Sequence, residues 1–281
     1  MAATKRVHYY HADACGFGGY FERPFQHIVA PQAPMSLPTS GGYGSARSEN
    51  FRLEGLVSYK SVSTQVSGQL NKKDGGGWIT LATAVVEGFN LLDVVTADRL
   101  VSQISTEHPL VGDNPTVTFL GSKIENLKIA GSPVQVTLDL DICNQGNGYP
   151  SQPCVGDDRF LSQVTGQYQR INDAKCLPEW VKDRSIPDWI KDRYQWDAKK
   201  ACKSGSVLCS VVKETSGEFP GRPFGNVFEV PGFGRVFLGE LLVDCKSYRL
   251  TMVRTEMGSP SEGSSSAGTT EANGTTYPPG G

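Results

Sequence analysis

The sequence predicts a mostly-β protein: a multi-strand sandwich, barrel or solenoid-like β core carrying a Cys-rich, partly helical insertion. Three observations carry this reading. Short segments rich in β-branched residues recur between turn-forming clusters such as NKKDGGG and GDNP. Glycine is frequent, at 32 of 281 residues, which implies many turns. The segment PVQVTLDLD (133–141) sets Val134, Val136, Leu138 and Leu140 against Gln135, Thr137, Asp139 and Asp141, the period of a strand with one face on a core.

Taken in order, residues 1–49 form an N-terminal segment of Gly, Pro and aromatics without a clear period, and SLPTSGGYGSARS reads as a loop. Residues 50–142 form the first part of the β core, with strands in FRLEGLVSY, SVSTQVSGQL, GWITLATAVV, RLVSQIST, PTVTFLG and KIENLKIAG. Residues 143–218 form the Cys-rich insertion. Within it RFLSQVTGQYQRI spaces Phe160, Val164, Tyr168 and Ile171 at helical intervals. Residues 219–257 return to strands, with CKS a turn between two of them. Residues 258–281 are a Ser, Gly, Thr and Pro tail with little to bury, a composition that on its own reads as disordered.

The insertion repeats itself: LPEWVKDRS (177–185) is followed by IPDWIKDRY (186–194). On one continuous helix, Trp180 and Trp189 would face opposite sides, and Pro187 would remove a hydrogen bond. Two short helical turns fit better, each begun by a proline with an acid, Glu179 or Asp188, beside it. The repeat then either packs two tryptophans or, with Trp196, offers a ligand platform for a small molecule or carbohydrate.

Composition narrows the functions. A net charge of −2 gives no electrostatic reason to expect nucleic acid. The longest apolar stretch, Leu81 to Val95, is broken by Glu87, Asn90 and Asp93, so no membrane span is expected. The opening MAATKRVHYYHADA lacks the apolar centre of a secretory signal, which favours the cytoplasm. Cysteine usage points the other way. Six of the seven cysteines (Cys143, Cys154, Cys176, Cys202, Cys209 and Cys245) cluster as disulfide candidates suited to a secreted or surface location.

No GxSxG, HExxH, GxxxxGK[ST] or strand-to-helix GxGxxG occurs. The cluster HYYHADAC offers His8, His11, Asp13 and Cys15 as metal ligands, with His27 completing a set if the chain folds back. On a strand, His11, Asp13 and Cys15 line one face. The bland alternative is an edge strand with polar residues outward. Asp139 and Asp141 suggest calcium, but the spacing beyond them departs from an EF-hand. No cofactor is expected, and no catalytic residue is nominated.

The order ITLATAVVEGFNLLDVVTADRLVSQIST, FLGSKIENLKIAGSPVQV and VPGFGRVFLGE resembles the choice-of-anchor P family, a bacterial group of β-rich surface or secreted proteins. The resemblance spans 50–142 and 219–257. It implies a mostly β fold and an external or assembly role, and supplies no catalytic residues. The chain departs from that pattern in its 143–218 segment and in lacking a visible export signal. The expectation is a non-enzymatic structural protein that associates with itself as a homo-oligomer or larger assembly. The alternatives are a small-molecule or carbohydrate binder using Trp180, Trp189 and Trp196, and a hydrolase with dispersed carboxylates.

Overall fold

The computed structural model describes residues 6–277 except 54, 74–75, 113–114, 144–157, 195–204 and 245–246. The chain opens with β1 (Val7–Arg23), β2 (His27–Gln32), β3 (Met35–Ser36), β4 (Gly42–Leu53), β5 (Val57–Leu70), β6 (Gly77–Leu91) and β7 (Val95–Pro109). Short strands follow: β8 (Thr116–Thr118), β9 (Lys123–Glu125), β10 (Lys128–Ile129), β11 (Ser132–Pro133) and β12 (Gln135–Leu138). Helices α1 (Asp158–Asn172) and α2 (Asp188–Arg193) come next. The chain closes with β13 (Ser206–Ser210), β14 (Val212–Ser216), β15 (Arg222–Phe224), β16 (Val227–Val230), β17 (Gly234–Asp244), β18 (Tyr248–Met257) and β19 (Glu262–Tyr277).

A nine-stranded sheet runs β15-β16-β17-β18-β19-β1-β2, with β13 on β17 and β3 on β1. An eight-stranded sheet runs β11-β10-β7-β6-β5-β4, with β8 and β9 on β7. Pairing is antiparallel throughout, and neither sheet closes on itself. The sheets face each other through β1, β18 and β19 on one side and β5, β6 and β7 on the other. The fold is therefore sandwich-like. The segment of clearest period, PVQVTLDLD, supplies the end of β11 and the four-residue β12, which pairs with β14 in a separate two-stranded ribbon.

Each sheet carries a line along which its long strands change the parity of their inward residues. On β6, Ala82, Ala84 and Val86 are buried, then Phe89 and Leu91. On β5 the change falls between Val62 and Tyr59, and on β7 between Leu100 and Ala97. The line passes through Asn50 and Gly88, both at positive φ (51° and 63°). In the other sheet it passes Gly16, Gly268 (φ 63°), Met252 and Gly239 (φ 55°). A left-handed residue at the line rotates the strand by one position. The apolar face therefore stays inward on both sides.

The interface between the sheets is close. Phe17 meets Phe89 at 5.9 Å between ring centroids. Gly16 lies against Val62 of the opposite sheet, where an added Cβ would overlap Val62 Cγ1. Polar groups cross too: Ser102 Oγ lies 2.6 Å from Thr270 Oγ1, and His108 Nε2 lies 3.0 Å from Asn273 Oδ1.

Helix α1 forms over the expected residues and buries Phe160, Leu161, Val164, Tyr168 and Ile171. Its Gln167 donates to Ser210 O (2.7 Å) and accepts from Ser210 N (3.1 Å), which ties the helix to the end of β13. The nine-residue echo does not give two helical turns. IPDWIKDRY forms α2 from Asp188 onward, with Pro187 as its N-cap, while LPEWVKDRS forms only a turn after the 3₁₀ segment Ala174–Cys176. Arg184 accounts for the difference, because it donates to the carbonyls of Ala174, Leu177 and Pro178 and winds that segment back on itself.

Four expectations need correction. The tail is not unstructured: β19 pairs along its length with β1 on one side and β18 on the other. The N-terminal segment holds β1, the longest strand among the described residues, and the stretch read as a loop, SLPTSGGYGSARS, enters β4 at Gly42. The segment 143–218 contributes β13 and β14 to sheets, so its described part is tied into the β structure and does not stand apart from it. No disulfide joins two described residues: Cys176 is exposed and free, and Cys143 and Cys209 are buried. Cys154, Cys202 and Cys245 lie outside the described residues.

Candidate functional site

A hollow of ≈ 920 Å³ lies where the 180–183 loop faces the end of the nine-stranded sheet. Two Pro-Gly turns shape it: FPGR (219–222), which leads into β15, and VPGFGR (230–235), which joins β16 to β17. Phe219, Val230, Phe233 and Met257 are buried beneath it. Trp180 stands on Phe219, with ring centroids 5.5 Å apart and planes at 74°. Phe219 in turn packs on Phe228 at 5.2 Å.

Above this apolar base the charges are paired. Arg222 binds Glu229 through Nε (2.7 Å) and Asp183 through Nη1 (2.6 Å). Arg235 binds Glu256 at 3.2 Å and lays its guanidinium 3.9 Å from the centre of the Trp189 ring. Asp183 is held below the usual carboxylate range by the Ser185 hydroxyl and backbone N–H, and further by Arg222. Burial alone would raise Glu256, but hydrogen bonds from Arg254 and Arg235 bring it below the usual range. Both stay ionised at neutral pH as acceptors, unlike a general acid, which needs a raised pKa.

The two tryptophans of the echo take different roles. Trp180 lines the hollow. Trp189 packs edge-on against Phe224 and Phe237 and is covered by Arg235. Trp196 lies outside the described residues. Sequence reading missed Arg222, Arg235, Glu229 and Glu256. The available signal was the pair of Pro-Gly turns each followed by an arginine.

The proposed metal ligands are divided by β1. His11, Asp13 and Cys15 share its outer face, as the period implied, while His8 points inward and is buried. His11 Nε2 lies 3.3 Å from Asp13 Oδ2 and 3.3 Å from Glu271 Oε1. The hydrogen bond to Glu271 raises the His11 pKa, and the same bond, with Arg249, holds Glu271 at about 2. This makes a cross-strand ion ladder. Cys15 hydrogen-bonds the carbonyls of Phe17 and Gln32, and burial raises its pKa. His27 is exposed on β2. No cluster of three or more metal-ligating groups occurs among the described residues. Asp139 Oδ1 accepts from Asp141 N (3.3 Å), a local turn contact. No helix among the described residues is long and apolar enough to cross a membrane.

The chain belongs to the family of a domain of unknown function, DUF8256, whose model matches residues 8–244. Searches of curated proteins and of solved structures found no match.

Proposed function

We propose that this family member is a binding module that holds a carbohydrate in the Trp180 groove. The carrying observation is the combination in one hollow of an aromatic wall, Trp180 on Phe219, with guanidinium–carboxylate pairs at Arg222 and Arg235. A sugar offers an apolar C–H face and a rim of hydroxyls that both donate and accept. An aromatic face suits the first, and paired arginine and carboxylate groups suit the second. The hollow's size fits a small-molecule site. Its three cations (Lys182, Arg222, Arg235) balance its three carboxylates (Asp183, Glu229, Glu256), as a neutral ring requires. Titration of soluble oligosaccharides into the full chain, followed by calorimetry and tryptophan fluorescence, tests this. Binding that is lost in Trp180→Ala, with the unfolding midpoint held, supports it; absence of binding across neutral and acidic sugars overturns it.

A second reading, self-association, rests on β4. Among the described residues this 12-residue strand pairs only with β5, and it ends the eight-stranded sheet. An open edge presents unpaired backbone groups to another strand. Arg47 and Glu49, two residues apart and both exposed, give the edge charges of both signs for an antiparallel copy. A mass by light scattering that stays monomeric at every concentration overturns this reading.

A further inference from the structure

A second hollow of ≈ 400 Å³ adjoins the first, and Trp180 lines both. Phe228 lines the second hollow and Phe219 the first, and the two rings pack together, so an aromatic partition to which Trp180 belongs stands between the two hollows. The two halves differ in charge. In the first, both arginines are bound to carboxylates. The second holds Arg170 and Lys213, neither of which forms an ion pair with a described residue, against the single carboxylate of Glu214. Arg170 sits in the last turn of α1. Lys213 is the extra residue of a β-bulge, since Thr137 pairs with Glu214 and Leu138 with Val212. A bulge re-aims a side chain relative to the regular strand.

We infer that the groove reads an elongated acidic glycan. One neutral face stacks on Trp180 in the larger hollow, and an anionic substituent of the same chain, carboxylate or sulfate, reaches Arg170 and Lys213 in the smaller one. This rests on the carbohydrate reading and adds to it a ligand of more than one sugar unit, with charge required on one side of the tryptophan. Two unpaired cations that gain charge-assisted hydrogen bonds make the acidic chain bind about tenfold tighter than its neutral counterpart.

The test uses the full chain with three probes: oligogalacturonate, the same oligomer fully methyl-esterified, and a chondroitin sulfate fragment. The expected result is that at least one acidic probe binds about tenfold tighter than the ester, with an advantage that shrinks as salt rises. Arg170→Ala with Lys213→Ala then removes that advantage while leaving ester binding in place. Preference for the galacturonate over its ester assigns a carboxylate, and preference for the chondroitin fragment, which bears both a carboxylate and a sulfate, over the galacturonate adds the sulfate to the requirement; either supports the inference. Equal binding of ester and acidic probes overturns the acidic assignment and leaves the carbohydrate reading standing. No binding by any probe, with folded protein confirmed by its unfolding midpoint, overturns both. Because both substituted residues are exposed, the double variant is expected to fold.

Discussion

His8 stacks on Trp78 with ring centroids 5.3 Å apart and planes 10° from parallel, and its buried Nε2 has no hydrogen-bond partner among the described residues. Its Nδ1 meets Thr276 Oγ1 at 2.9 Å, and the His108 ring lies 4.7 Å away. The two histidines sit between the sheets, beside Tyr10 and Arg6.

This packing makes stability depend on pH. Burial, then His108 and Arg6, lower the His8 pKa to about 4, and burial also lowers that of His108. The native state keeps both rings neutral, whereas the unfolded chain takes up protons below pH 6.5. The unfolded state thus binds more protons, so stability is full near pH 7 and is lost as the pH falls from 6.5 towards 4. With screening by solvent allowed for, His8 contributes on the order of 1–3 kcal/mol over that window. Urea midpoints across the range measure it. His8→Phe, which keeps the stack on Trp78 but cannot titrate, should flatten the slope. An unchanged slope in that variant contradicts the assignment.

Gly16→Ala should destabilise the protein through packing alone, since Gly16 is not at positive φ. The new methyl overlaps Val62 of the opposite sheet, and overpacking of this kind costs about 1–3 kcal/mol. Val62→Ala in the same chain opens the space. The double variant should therefore lie closer to the sum of one cavity than to the sum of both losses. Chemical denaturation of the four proteins closes the cycle, and simple additivity would contradict the contact.

The sequence made the mostly β class and α1 readable because short β-branched runs and a 3.6-residue period are local signals. It hid two long interior strands of the nine-stranded sheet, β1 and β19. In β1 the inward set is Tyr10, Ala12 and Ala14, then Phe17 and Phe21, and this parity change at Gly16 breaks the alternation that marks a strand. In β19 the buried residues are Ser265, Ala267, Gly268, Thr270, Ala272 and Asn273, too small and polar to register as a core. Their neighbours supply the volume: a Cβ on Gly268 would lie 3.3 Å from Met252 and 3.9 Å from Leu100. The groove was half legible. Trp180 stood out by its repeat, but Arg222 and Arg235 are brought to it by turns far along the chain.

Glu240→Gln should loosen α2. Glu240 is buried on β17 and accepts from Arg193 of α2 at 2.7 Å and from Arg254 of β18. Both guanidinium groups also lie over Phe237, at 4.7 and 3.8 Å. Removing the carboxylate leaves two part-buried cations facing each other, which costs about 3–5 kcal/mol. The loss should appear in the urea midpoint and in the near-ultraviolet signal of Trp189, which shares this face. Glu240→Ala with Arg193→Met, which removes both the anion and the cation that docks α2, should recover part of the stability. No change in either signal for Glu240→Gln would rule out the network as the clamp on α2.

Ending the chain at Met257 should abolish cooperative folding, although it removes only Ser, Gly, Thr and Pro-rich sequence. β19 bonds β1 from Val7 to Arg23 and β18 from Tyr248 to Met257, so its loss leaves two facing edges with unmet backbone groups. It also uncovers β7, where Ser102 bonds Thr270 and His108 bonds Asn273. Neither edge can close on the other, because β1 and β18 are separated by a full strand. The truncated chain is expected to keep β-type circular dichroism, bind a hydrophobic dye and lose its sharp urea transition. A synthetic peptide covering residues 259–277, added in trans, should restore that transition by occupying the gap. A sharp transition in the truncated chain without the peptide would mean that β19 is peripheral, contrary to its place between the chain's first strand and β18.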